Sequence, residues 1–265
     1  MENQIAPITQ LKNTLRGESV KARFKEILGQ KAPGFISSIL SVANSNAMLQ
    51  NAEPQSVLNA AVIAATLDLP INPNLGYSAI VPYKDRKTGI ISGQFQLMYK
   101  GLVELCLRSG QFASLIDEVV YEGQLVKKNK FTGEYIFDED AKTSDKVIGY
   151  MAYFRLVNGF EKTFYMTIDE VQKHAKTYSQ SYSKGYGVWV DSFDVMARKT
   201  VLKLLLSKYA PKSIQMQQAI TFDQAVVKND LTTADNIEEA EITYVDNEPQ
   251  SAKSKLEEIA SKNVE

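Results

Sequence analysis

The chain has 265 residues, 44% of them hydrophobic and 23% charged, with a formal net charge of −1, enough apolar material for one globular core with an appendage. One cysteine (Cys106) and one histidine (His174) exclude an intramolecular disulfide framework and a Cys/His zinc site. No apolar run reaches the ~20 residues of a membrane span, and the start, M-E-N-Q-I-A-P, lacks the pattern of a signal peptide, so a cytoplasmic protein with no membrane partner is expected.

The near-zero net charge hides an asymmetry. Residues 1–222 carry 26 Lys+Arg against 20 Asp+Glu, a net +6, and residues 223–265 carry 4 against 11, a net −7. A mildly basic body with an acidic tail suits a nucleic-acid binder without being specific to one.

Residues 1–30 read as an amphipathic helical arm, with Ile8, Leu11, Leu15, Phe24, Ile27 and Leu28 at helical spacing and a break near Gly17. Residues 32–83 contain no Lys or Arg, and only Glu53 and Asp68 are acidic. Pro33 and Pro54 each open a helix there. So little charge means either core or packing against another copy of the chain. A proline-stiffened loop, Leu69-Pro70-Ile71-Asn72-Pro73-Asn74, leads to a strand over 77–83, a turn over 84–89 and a returning strand over 94–98. That turn presents Lys84, Arg86 and Lys87 at an exposed tip, where solvation alone would account for them. A short helix over 99–109 follows, closed by Gly110. Lys100, Glu104 and Arg108 lie four apart on it and form, most simply, a surface ion-pair ladder.

Residues 112–121 have strand character, and Phe131-Thr132-Gly133-Glu134 reads as a turn. Strands over 150–157 and 160–166 flank Asn158-Gly159, a strong hairpin signal. Thr167-Ile168-Asp169-Glu170 is a capping box that starts a helix through about 176, and His174 is expected to be solvated on it. A Tyr/Ser/Gly-rich loop over 177–187 feeds a helix over about 188–210, capped by Asp191 and ended by Pro211. On a helical wheel, Val195, Ala197, Val201, Leu202, Leu204, Leu205, Leu206 and Tyr209 span more than half the circumference, so this central helix should be buried on most sides. Lys199 and Lys203 sit one turn apart on its narrow polar strip. Arg198 projects from the apolar arc and needs a partner; Asp194, one turn earlier, is one candidate, and a bound anion is another. A last helix covers 214–227. From 228 the chain is acidic with little to bury, and disorder is expected, with 253–262 able to form a helix on a partner. The organisation is thus an arm (1–30), a core domain (31–227) and an acidic tail (228–265). With no βαβ alternation, the fold class is α+β: antiparallel hairpins and sheet packed with helices.

The chemistry of catalysis is missing from the sequence. There is no G-x-x-x-x-G-K-[ST] cradle for ATP phosphates, and no paired carboxylates stand out. Asp140-Ala141-Lys142 matches only a fragment of metal-dependent nucleases. What is present is cations beside aromatics: Tyr83 with Lys84, Arg86 and Lys87; Tyr99 with Lys100 and Arg108; Tyr186 and Trp189 with Arg198, Lys199 and Lys203. Single-stranded nucleic acid is held by that combination, cations tracking phosphates and rings stacking on bases.

Two longer motifs sharpen this reading. Q-F-Q-L-M-Y-K-G-L-V-E-L-C-L-R-S-G-Q (94–111) and the segment from Trp189 through D-S-F-D-V-M-A-R-K-T-V-L-K-L-L-L-S-K-Y-A-P resemble the two signatures of the RecT family of phage single-strand annealing proteins. Leu69-Pro70-Ile71-Asn72-Pro73 and Ile80-Val81-Pro82-Tyr83-Lys84 match in the same order, and the resemblance covers about residues 30–220. It implies ATP-independent annealing of complementary strands in homologous recombination inside a bacterial host, by rings or helical filaments. It also implies an exonuclease partner, with a host single-strand-binding protein as a further candidate partner for the acidic tail. No bound cofactor is implied, although Mg2+ would assist by screening charge. The resemblance makes Lys100 and Lys199 the first candidates for phosphate contacts, then Arg198 and Lys203, with the Lys84–Arg86–Lys87 hairpin closing one side of a groove. Gln94 and Gln96 alternate with Phe95 and Leu97 and would give that groove a polar wall. A non-catalytic structural filament protein and, behind it, a metal-dependent nuclease are the alternative readings.

Overall fold

Prolines, a capping box and runs of small apolar residues place most elements before any tertiary contact is considered. The computed structural model describes residues 6–85, 88–129, 131–234 and 237–243. In chain order these form α1 (Pro7–Arg16), α2 (Glu18–Leu28), α3 (Ala32–Ser45), α4 (Ala47–Gln50), α5 (Pro54–Thr66), β1 (Ser78–Lys84), β2 (Ile91–Leu97), α6 (Tyr99–Arg108), β3 (Phe112–Tyr121), β4 (Leu125–Asn129) and β5 (Glu134–Phe137). Then come β6 (Val147–Leu156), β7 (Glu161–Thr167), α7 (Ile168–Tyr178), α8 (Gln180–Ser183), α9 (Val188–Asp191), α10 (Phe193–Tyr209), α11 (Ile214–Phe222), β8 (Val226–Val227) and β9 (Ile242–Thr243). The class is α+β with small antiparallel sheets, as expected. No described helix is long and apolar enough to cross a membrane. The chain divides into two compact units, Met1–Glu104 with Ile214–Glu265, and Leu105–Ser213.

The first unit is organised on α5. Pro54 sits at its N-terminus, where a missing N–H costs nothing. All ten residues from Ser56 to Ala65 are buried, because the small side chains of A-A-V-I-A-A let neighbours approach from every side. Leu11, Leu15, Val20 and Phe24 are buried as well, and α1 and α2 both pack on α5. The N-terminal residues are therefore part of the core and not a detached arm. β1 and β2 pair antiparallel, Ser78 opposite Leu97 through Lys84 opposite Ile91. A Cβ at Gly93 of β2 would press on Val57 of α5, so that strand lies directly against the helix.

The expected disorder begins too early at 228. Leu231 is 0% and Ile237 2% exposed. Asn59, buried in α5, donates from its amide nitrogen to the Asn229 carbonyl at 2.8 Å and accepts the Leu231 N–H at 3.0 Å. Gln55 adds a 2.6 Å bond to Asp230. The Lys228 N–H donates to the Glu241 carbonyl beside the β8–β9 pair. Composition concealed this, because two apolar residues and one buried amide do the anchoring. The proposed helix over 253–262 lies outside the described residues.

In the second unit β3, β6 and β7 form an antiparallel sheet in that order. Tyr150, Ala152, Phe154 and Leu156 alternate along one face of β6 and are buried, and α10 packs on all three strands. The capping box is realised: Thr167 Oγ1 accepts the Glu170 N–H and Glu170 accepts the Thr167 N–H. The turn expected at 131–134 proves to join two strands, β4 and β5, whose Tyr135 and Phe137 pack on Tyr165 of β7 at ring distances of 5.9 and 6.0 Å. The central helix is broken: α9 ends at Asp191, and Ser192, in an extended φ of −144°, precedes α10. Neither Asp191 nor Ser192 caps α10 with its side chain. Across the break Trp189 and Phe193 meet at 5.7 Å and both reach Tyr182. The buried arc of α10 is also narrower than expected: Ala197, Val201, Leu202, Leu205 and Leu206 are buried, whereas Val195 is 62% exposed.

Leu231→Ala should lower unfolding stability by about 2–4 kcal/mol through a cavity under the C-terminal strap, read as a shift in the urea midpoint with the slope unchanged. A loss below 0.5 kcal/mol would mean that residues 228–243 are dispensable to the fold.

Candidate nucleic-acid interface

Lys100 owes its position in the first unit to its neighbour. Gly101 follows it at the start of α6, and a Cβ there would collide with the Tyr77 carbonyl oxygen. Only glycine lets α6 start so close to the chain entering β1. The Lys100 N–H then donates to the Gly76 carbonyl at 3.0 Å, and the lysine's aliphatic stem lies over Gly76. Its ammonium end is left on the exposed side of the residue. Tyr99 beside it is 37% exposed. Lys84, also exposed, ends β1. The turn beyond it is closed by Asp85, whose carboxylate accepts the Thr88 hydroxyl and whose carbonyl accepts the Gly89 N–H. Arg86 and Lys87 lie outside the described residues.

Gln94 and Gln96 do not form a polar wall. Gln94 is only 6% exposed and Gln96 half-buried. Alternation along β2 separates the two faces, but Gln94 is buried on one of them and Gln96 partly covered, so neither offers an open groove lining.

In the second unit Arg198 does have a partner, though not Asp194. Its Nε donates to Asp117 of β3 at 2.8 Å and an Nη donates to the Asp117 carbonyl at 2.7 Å, with Glu118 at 3.6 Å. Asp117 is 4% exposed. Asp194 instead accepts the Tyr150 hydroxyl, and burial followed by this carboxylate pushes the Tyr150 pKa upward. The sequence pointed to the nearer carboxylate because a partner across a sheet leaves no local trace. Arg198 therefore docks the helix.

Lys199 and Lys203 are half-buried, one turn apart on α10. Lys203 lies close enough to His174 to matter. Burial first, and that ammonium second, lower the His174 pKa from its ordinary 6.5. His174 is thus no solvated surface residue; it is half-buried and its ring stands 4.5 Å from that of Tyr178. Trp189 is only 9% exposed inside its ring cluster and offers no open face for stacking, whereas Tyr186 is 56% exposed. Arg108, in the second unit at the end of α6, is exposed. The nuclease-like Asp140-Ala141-Lys142 is otherwise engaged: Lys142 pairs with Asp145 at 2.6 Å and stands 3.8 Å over the Tyr121 ring. The Cys106 thiol is buried and pushed up to about 12, which makes it unreactive.

The structure thus keeps Lys84, Tyr99 and Lys100 in the first unit and Arg108, Tyr186, Lys199 and Lys203 in the second as surface or half-surface groups, and turns Gln94, Trp189 and Arg198 inward. It also reveals further cation–ring contacts: Lys128 over Tyr165 at 5.4 Å, and Lys162 and Lys208 each 5.2 Å from Tyr209. Lys208 is the sequence neighbour of Tyr209 within the second motif, whereas Lys128–Tyr165 and Lys162–Tyr209 join different elements, so no sequence spacing signals those two.

Comparison with known proteins gives the family of the chain. A family model described as the RecT family matches residues 33–242, most of the chain. The chain is 46% identical over 243 residues to the uncharacterized protein YqaK of Bacillus subtilis (strain 168), spanning 91% of this chain and 80% of that one. It is 31% identical over 184 residues to Protein RecT of Escherichia coli (strain K12), spanning 66% of this chain and 65% of that one.

Two measurements probe the geometry. Asp117→Asn should cost about 3 kcal/mol by stranding a half-buried guanidinium, against about 1 kcal/mol for Asp194→Asn; chemical denaturation that reversed this order would restore Asp194 as the partner. Because His174 is held neutral in the fold, the unfolded chain binds more protons below about pH 6.5. Stability should then fall as pH drops through that value, and His174→Gln should flatten the slope. An NMR titration placing His174 above 6.5 would contradict this.

Proposed function

Since the chain belongs to the RecT family, whose members are single-strand annealing proteins of DNA recombination and generally not catalytic enzymes, we propose that it binds single-stranded DNA and anneals complementary strands without ATP. The reading includes assembly of many protomers into a ring or filament, a phage origin for the recombination pathway, and action beside an exonuclease and a host single-strand-binding protein.

The observation that carries it is the placement of cations on elements fixed by packing. Lys199 and Lys203 stand on a helix whose opposite face is buried in a sheet and whose rotation is set by the Arg198–Asp117 pair. Lys100 is set by Gly101 and Gly76 in the other unit. An ammonium on a fixed backbone meets a phosphate without a large ordering cost, whereas one on a mobile loop pays that cost at binding.

Annealing by such a protein needs no covalent step. Cations neutralise the phosphates of one strand and hold it extended, with base edges open to a second strand. Correct pairing is retained because stacking and hydrogen bonding outlast non-complementary encounters. Phosphate contacts carry no base information, so sequence should not matter. Mg2+ assists in this reading by screening the second strand, without a dedicated protein site.

Annealing of two complementary oligonucleotides should proceed without nucleotide cofactor and slow by at least tenfold in Lys100→Ala plus Lys199→Ala, with binding that weakens steeply between ~50 and ~200 mM salt. Annealing that survives in the folded double variant moves the contacts elsewhere. A wild-type chain that neither anneals nor binds in a salt-sensitive way leaves a structural filament protein as the better reading.

A further inference from the structure

β2 pairs with β1 along one edge, and its other edge is held at four points. Alternate residues of an antiparallel strand turn their main-chain groups away from the partner, and here these are Ile91, Gly93, Phe95 and Leu97. The Ile91 carbonyl accepts the Glu53 N–H at 2.8 Å, and the Gly93 N–H donates to the Ser56 hydroxyl at 2.7 Å. Both partners stand at the start of α5. The Phe95 carbonyl accepts the Gln224 N–H at 2.8 Å, and the Leu97 N–H donates to the Asp223 carboxylate, also at 2.8 Å. Asp223 and Gln224 directly follow α11.

This second grip contains more than edge closure requires. Asp223 is 6% exposed, and burying a carboxylate is unfavourable where a neutral oxygen would accept the same N–H. Gln224 beside it holds φ at +66°, a left-handed backbone that glycine enters far more readily. A buried charge and a strained residue side by side mark a point whose geometry the surroundings over-determine. The point they fix is the last residue of β2. Leu97 stands two residues before α6, whose N-terminus favours negative charge, so the charge makes sense at the helix start and not at the strand.

Leu97 is also three residues from Lys100. Between them the Met98 N–H donates to the Tyr77 carbonyl, and the Lys100 N–H donates to the Gly76 carbonyl, both at 3.0 Å. These bonds tie the start of α6 to the chain entering β1, which in turn pairs with β2 at Ser78–Leu97. Asp223 holds that pair from its far side, out of a segment 126 residues further along the chain. The backbone that carries Lys100 is thus gripped from both sides, locally by Gly76 and Tyr77 and remotely by Asp223.

We propose that Asp223 is a positioning residue for Lys100: its carboxylate, aimed by the left-handed turn at Gln224, fixes the end of β2 and so sets where the Lys100 ammonium meets a phosphate. This rests on Lys100 being a phosphate contact in the function proposed above. Asp223 acts through the backbone and has no contact with DNA.

The test measures binding of the full chain to a labelled single-stranded oligonucleotide over a salt series, at a temperature where circular dichroism shows each variant folded. Lys100→Ala should make the log–log salt slope shallower by about 0.7, the release expected for one single-strand phosphate. Asp223→Ala should give the same loss, and the double variant should lose no more than either single one. Asp223→Asn, which keeps an acceptor oxygen for the Leu97 N–H, should retain the wild-type slope. A role in stability alone would lower the melting temperature of Asp223→Ala and leave the slope of the folded protein unchanged, which would overturn the proposal. Losses that add in the double variant, or an equal loss in Asp223→Asn, would overturn it too. If Asp223→Ala does not fold, Asp223→Ser, whose shorter side chain withdraws the acceptor, takes its place with the same expectation. A wild type without salt-sensitive binding removes the functional reading itself. A Lys100→Ala variant with the wild-type slope removes the phosphate contact and the positioning role with it. A slope that responds to Lys100→Ala and not to Asp223→Ala removes only the positioning role.

Discussion

Arg198 leaves the middle of α10's apolar arc and ends on Asp117 of β3, so the helix cannot turn about its axis without stranding a buried carboxylate. A charge drawn into a low-dielectric interior must be matched by an opposite charge and by hydrogen bonds. Two guanidinium N–H donors, one to the Asp117 carboxylate and one to its main-chain carbonyl, fix both the rotation of α10 and its height on the sheet. The direction of every other side chain on α10 follows. Ala197, Val201 and Leu205 face the strands, Lys199 and Lys203 face outward, and Lys208 emerges beside β7. The aromatic cluster of Tyr182, Trp189, Phe193 and Tyr150 closes the N-terminal end of the helix, beside the break at Ser192.

The first unit solves a related problem with a neutral group. Asn59 sits among apolar neighbours on α5, where an unpaired amide would be costly. The strap at 229–231 supplies a carbonyl and an N–H in the right places. A polar residue in an apolar helix thereby specifies which segment closes over it, and the specificity lies in hydrogen-bond geometry, since apolar contact alone would accept other segments. The same unit holds Lys100 through a steric rule: the helix that carries it starts where only glycine fits.

These constraints bear on function because nucleic-acid contacts of this kind need charge at fixed positions more than they need reactive groups. The titratable side chains whose shifts come chiefly from burial belong to the scaffold: Tyr150 and Tyr165 raised by it, His174 lowered by it, Cys106 raised by it. Their shifts record packing. In the proposed function the lysines on α6 and α10 carry the interaction, and the buried groups decide where those lysines stand.

The sequence by itself determined the class of fold, the family and much of the element order. The reasons are local: prolines at helix starts, Asn158-Gly159 in a hairpin, the Thr167–Glu170 box, and two long motifs in register. It also offered Lys100, Lys199 and Lys203 as candidates, because each lies within a motif at readable spacing. It misplaced Arg198's partner, read Gln94 and Trp189 as surface groups, ended the core at 227 and passed over the β4–β5 pair. Each of those depends on what lies across a sheet or beneath a strap, and period-2 or period-3.6 patterning says which residues share a face without saying what covers it. Only the tertiary structure could bring Asp117 to Arg198, Asn229 to Asn59, and Lys162 to the Tyr209 ring, since those contacts join segments whose separation along the chain carries no signal.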